Sequence, residues 1–164
     1  MSGARRLPKS WAEVLAPGGA FSPLVVLRSS PDGVARAHRG WVLMAAPYLS
    51  EVKLRDAWRY ERSVRASVLA SVEVARLAEC GVTAVCPAIT QAEIAHARDL
   101  LAAPPDPLDL GWWASWCAPL MVEARTVVVP AIDGWQRCPL VWRMVATALG
   151  QNARVHVYGG ADGL

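Results

Sequence analysis

The chain has 164 residues, is 54% hydrophobic and carries a net charge of +3. That length suits one domain with a proper core, and the composition excludes a disordered chain. No apolar run approaches the roughly 20 residues that would span a bilayer.

Read in chain order, Ser10 followed by Glu13 forms a capping box that predicts a short helix, stopped by Pro17-Gly18-Gly19. Leu24 to Leu27 and Val34 to His38 flank the turn-like Ser29-Ser30-Pro31-Asp32-Gly33, which predicts a hairpin on the sheet edge. Residues 1–40 are thus expected to be an N-terminal extension and 41–164 the main α/β domain.

The continuous apolar run Trp41 to Ala46 predicts a strand covered on both faces and ending at Pro47. A long helix is expected from about Ser50 to Cys80, with Val64, Val68, Val72 and Ala75 on one face and Gly81 as its stop. A second strand follows over Val82 to Ala88, then a helix started by a Thr90–Glu93 capping box. After a Pro- and Asp-rich loop, the pattern gives a Trp-rich helix from Trp112 to about Glu123. Thr126 to Ala131 is a third strand, Leu140 to Leu149 a helix and Arg154 to Tyr158 the last strand. Alternating strands and helices predict βαβ units, hence an open three-layer α/β sandwich with a mostly parallel, flavodoxin-like sheet. Ligands in such sheets bind beyond the carboxyl ends of the strands. Those ends carry Pro47-Tyr48, Pro87 to Thr90 and Asp133-Gly134-Trp135.

Met1 to Lys9 is basic, but no apolar core of a secretory signal follows it, and Cys80, Cys86, Cys117 and Cys138 form no CxxC pair. A cytoplasmic protein with reduced thiols is expected. The arginines are spread along the chain, which argues against a dedicated nucleic-acid surface. Arg55, Arg59, Arg62 and Arg65 read as a solvated helix face. His38, His96 and His156 have no metal-ligand spacing, and the chain lacks a Gly-rich phosphate loop, so neither metal nor cofactor is expected.

Met44-Ala45-Ala46-Pro47-Tyr48 resembles the LA-x-PY motif of the nucleoside 2-deoxyribosyltransferase-like superfamily. Arg59-Tyr60-Glu61, Trp112-Trp113 and Val127-Val128-Val129 leading to Asp133-Gly134-Trp135 follow in matching order. The nearest likeness is to the small uncharacterised branch that carries DGW, and it spans roughly Trp41 to Tyr158. The resemblance implies a base pocket at Tyr48 and a sugar-side role for Asp133, with Gly134 and Trp135 beside the ligand. It also implies an oligomer with a nucleoside or nucleotide as ligand. The family's chemistry needs a nucleophilic carboxylate and a second acid about 5 Å away. Matched to this chain, the nucleophile falls on Met144, the helix aspartate on Cys117, and the Ser and Gly of the binding turn on Cys138 and Leu140.

Met does not ionise, and burial keeps a thiol neutral. The resemblance therefore implies a pseudoenzyme that binds a nucleoside or nucleotide, or a protein-interaction module within a larger assembly. The alternative is an active N-glycosidase or deoxyribosyltransferase in which Asp133, Glu93 or Asp109 supplies a displaced carboxylate. Capping explains Glu93 without catalysis, and acids such as Asp109 and Glu123 at helix ends are commonly solvated. Of the 8 tryptophans, Trp135 is the one expected to meet a ligand or partner.

Overall fold

The structure, a computed structural model, describes residues 6–38 and 40–159. The first five residues of the expected extension, and 160–164 at the other end, lie outside the described residues.

Chain order begins with helix α1 (Trp11–Leu15), capped by the Ser10 hydroxyl, which accepts from the Glu13 amide, and strand β1 (Val25–Ser29). Helix α2 (Pro31–Ala37) follows, where a second hairpin strand was expected. Ser30 is its N-cap, accepting from the Gly33 amide at 3.2 Å, and Pro31 holds the first turn. Ser-Pro-Asp-Gly starts a helix as readily as it makes a turn, because Pro presets the φ of the first helical residue. Freed from a hairpin, β1 joins the main sheet.

Strand β2 (Trp41–Met44) precedes a two-residue hairpin of β3 (Lys53–Leu54) and β4 (Ala57–Trp58). Arg55 and Asp56 at its tip both have positive φ, as such turns require. The expected long helix therefore starts later, as α3 (Tyr60–Glu79), and stops at Gly81, whose φ is +77°. Strand β5 (Thr83–Val85) runs into α4 (Pro87–His96), which begins before the expected capping box and leaves Thr90 and Glu93 within the helix. Pro87 at its first turn again sets the start. Then come α5 (Leu110–Glu123), β6 (Thr126–Val129), α6 (Pro139–Gly150) and β7 (Arg154–Tyr158).

The order in the five-stranded sheet is β5-β2-β6-β7-β1, and every pairing is parallel. Helices α2, α3 and α4 pack together, as do α5 and α6, so right-handed crossovers put a layer on each face. This is the expected flavodoxin-like three-layer sandwich, completed by β1 as its edge strand. Core strands read as continuous apolar runs because both faces are covered: Val127, Val128 and Val129 are all fully buried.

Helix α3 reverses an expectation. It buries Ser63, Ala66, Ser67, Ala70, Glu73 and Leu77, while Val68, Leu69 and Val72 are exposed. The small residues allow close packing on α4, and the buried Ser63 hydroxyl is satisfied by Tyr48 and His96.

Within the sheet, His156 is buried, with Nδ1 2.8 Å from the Ser29 hydroxyl and Nε2 without a partner. Burial lowers its pKa from the ordinary 6.5, helped by Arg154 and His38 nearby. Below pH 6.5 the unfolded chain takes up a proton that the folded ring resists. Stability is therefore full above pH 6.5 and falls as pH drops from there through the lower folded value. Melting temperatures across pH 4.5 to 8 are expected to show this acid limb, and His156→Gln is expected to flatten it.

Among the described residues, no helix is long and apolar enough to cross a membrane, and no group of His, Cys, Asp and Glu is placed to hold a metal. Cys80, Cys86, Cys117 and Cys138 are free thiols.

Candidate functional site

The chain runs outward along the sheet through β1, β2 and β5, then returns through β6 and β7. Its switch point lies between β2 and β6, whose following helices sit on opposite faces, and such a point opens a crevice at the carboxyl ends. A cleft of about 680 Å³ occurs there. Its walls are Pro47 and Glu51 beyond β2, one flank of α3, and Ala131, Ile132, Asp133 and Arg137 beyond β6.

Local backbone structure aims these groups. After Pro47, the Tyr48 carbonyl accepts from the amides of Glu51 and Val52, a tight turn that brings Glu51 to the crevice. After β6, the Ile132 amide donates to Pro130, and Gly134 takes φ +89° before the short 3-10 turn Trp135–Arg137. A Cβ placed on Gly134 would fall inside the Glu51 carboxylate. Glycine is favoured there by its backbone angle, and its bare Cα leaves room for that carboxylate.

Charge in the cleft is mixed but arginine-rich. Arg62, Arg65, Arg76 and Arg137 face Glu51, Glu73 and Asp133. Arg76 Nη1 lies 2.7 Å from Glu73 Oε1, and Arg137 Nη2 lies 3.7 Å from Glu51 Oε1. Arg62 Nη1 donates to the Glu51 carbonyl at 3.4 Å, while Arg65 has no ion pair among the described residues. Guanidinium groups present a planar fork suited to carboxylate or phosphate oxygens, and cations in a crevice attract anions.

Of the residues expected at a site, Asp133 lines this cleft and is exposed. Gly134 packs against Glu51. Tyr48 is only 1% exposed; its hydroxyl lies 2.8 Å from Ser63 Oγ and accepts from Trp58 Nε1 at 3.2 Å. Burial raises its pKa against the lowering effect of those hydrogen bonds. Trp135 meets Trp11 edge-on at 4.7 Å, and Trp11 Nε1 donates to the Gln136 carbonyl, so this ring helps fasten α1.

The structure does not bring Glu93 or Asp109 to the cleft. Glu93 is exposed and lies 3.7 Å from His96 Nδ1. Asp109 caps α5, accepting from the Trp112 amide at 3.0 Å. Cys117 and Met144 are buried, and burial pushes the Cys117 thiol up to about 12. Cys138 and Leu140 are buried as well.

Sequence reasoning missed Glu51, Glu73 and the cleft role of Arg62 and Arg65. Spacing held a signal: Arg62, Arg65, Leu69, Glu73 and Arg76 recur every three or four residues and so form one helix flank. Glu51 had none beyond standing four residues after Pro47.

Gly134→Ala tests the turn. Forcing a side chain into positive φ costs about 1–2 kcal/mol, and Glu51 swings away because only the end of a flexible side chain is in the way. A melting temperature lower by about 2–8 °C is expected. In a Glu51→Ala background the penalty should shrink to the backbone cost alone, which a four-protein thermal cycle reads directly.

Fold and cleft together define an open parallel α/β domain with a ligand-type crevice at its switch point. The chain belongs to the family described as a domain of unknown function (DUF1937), whose model matches residues 40–160. No curated protein and no solved structure matches it.

Proposed function

We propose that this protein is a deoxyribosyltransferase-like domain that has given up that chemistry and binds a nucleotide or similar anionic nucleoside in the switch-point cleft. The observation that carries the reading is the pairing of four cleft arginines with apolar, buried groups at Cys117 and Met144, the positions the resemblance assigns to carboxylates. Arginines supply the contact to phosphate, and a thiol held neutral by burial supplies no nucleophile.

A specific observation favours a second reading, an active N-glycosidase. Glu51, Glu73 and Asp133 line one cleft, and two carboxylates are the minimum apparatus for glycosyl transfer.

One experiment addresses both. The pure protein is incubated with ribo- and deoxyribonucleosides and their monophosphates, and free base is measured by chromatography alongside ligand binding by calorimetry. Binding of monophosphates without base release, weakened by Arg62→Ala, is the expected result. Base release that disappears with Asp133→Asn or Glu51→Gln would establish the glycosidase instead. Neither binding nor release, with the fold verified by circular dichroism, would reject the nucleotide reading and turn attention to protein partners.

A further inference from the structure

We propose that the outward face of α3 is a self-association surface, on which a second copy of this chain packs its own α3 antiparallel about a two-fold axis at Val72.

Val68, Leu69 and Val72 are 56%, 41% and 45% exposed, and Ala75 beside them is also exposed. Val68, Val72 and Ala75 lie on the side of α3 opposite Ser63, Ala66, Ala70 and Leu77, which face the core, and this side meets the cleft along Arg65, Leu69 and Val72. Along this face Arg65, Val68, Val72, Ala75 and Glu79 follow one another at alternating steps of three and four residues, the spacing of a helix-pairing seam. Apolar side chains at successive seam positions of a helix that already buries its other face have the pattern of a helix-pairing surface.

The seam is complementary to itself, which selects a second copy as the occupant. Arg65 and Glu79 each stand seven residues from Val72, about 10 Å at 1.5 Å per residue. An axis through Val72 sets Arg65 of one protomer level with Glu79 of its partner, and the reverse. It also sets Val72 on Val72. Two-fold contacts are isologous, so one patch must match itself in this way. Neither Arg65 nor Glu79 has an ion pair within the chain among the described residues.

Sedimentation velocity of the full chain over a concentration series tests the proposal. A concentration-dependent dimer is expected, weakened about a hundredfold or more by Val72→Arg, which sets like charges on the axis. Because Val72 is exposed, that variant should keep its circular dichroism spectrum and melting profile at dilution. Arg65→Glu and Glu79→Arg should each weaken the dimer, and the double reversal R65E/E79R should restore it to within about tenfold of the parent. A monomer at every concentration, or a dimer indifferent to Val72→Arg, would overturn the surface. Failure of the double reversal to restore would overturn the antiparallel pairing about Val72.

Discussion

Trp113→Ala is expected to cost about 3–5 kcal/mol, the range for emptying a buried aromatic site. Trp113 is fully buried and heads the fully buried side chains by volume. Its ring meets Trp112 at 4.5 Å and Trp116 at 5.8 Å, both nearly edge-on, an arrangement favoured by the aromatic quadrupole. Its Nε1 donates at 2.9 Å to the Asp106 carbonyl, which ties the loop before α5 to the core. A fall of about 6–20 °C in melting temperature should follow for a chain of this size. Trp113→Phe keeps most of the packing and loses the hydrogen bond, so it should cost much less. An alanine variant that melts within about 2 °C of the parent would show that α5 is anchored elsewhere.

Tyr48→Phe is the second large effect, expected at about 1–3 kcal/mol because it strands a partly buried donor. The Tyr48 hydroxyl joins Trp58 Nε1 and Ser63 Oγ, and Ser63 in turn lies 2.9 Å from His96 Nε2. Four side chains from the β2 exit, the β3–β4 hairpin, α3 and α4 thereby share one chain of hydrogen bonds, and shared networks lose more than one bond when broken. Removing the hydroxyl leaves Trp58 Nε1 without that acceptor. Chemical denaturation measures the loss, and nucleotide affinity in the same variant separates two roles. Network support shows in stability; contact with a base shows in affinity. Tyr48→Phe as stable as the parent would mean that the network carries little of the fold's free energy.

These two residues illustrate what was legible from the chain alone. The Trp-rich pattern and the Pro-Tyr strand exit were plain in the sequence, as was the α/β class, because hydrophobic period and length distinguish buried parallel strands from helices without any tertiary information. The last strand, Arg154–Tyr158, has the expected bounds. The carboxyl-end location of a crevice also follows from topology, so Asp133 in the cleft wall needed only the order of the elements.

Tertiary structure decided the rest, for particular reasons. Ser30-Pro31-Asp32-Gly33 fits a turn and a helix start equally well, and the choice fell to β7, whose free edge takes β1 in parallel. Thr90 and Glu93 form a cap only if the helix begins there, and Pro87 begins it earlier. The valines of α3 have the period of a core face, yet Ala66 and Ala70 let the helix approach its neighbours from the other side and turn the valines outward. Glu51 and Glu73 reached the cleft through a turn and a helix flank that meet only when the sheet is assembled. Local pattern determines what most segments become; where it fits two structures, and in which face is buried and which distant side chains are met, packing against segments far away in the chain decides.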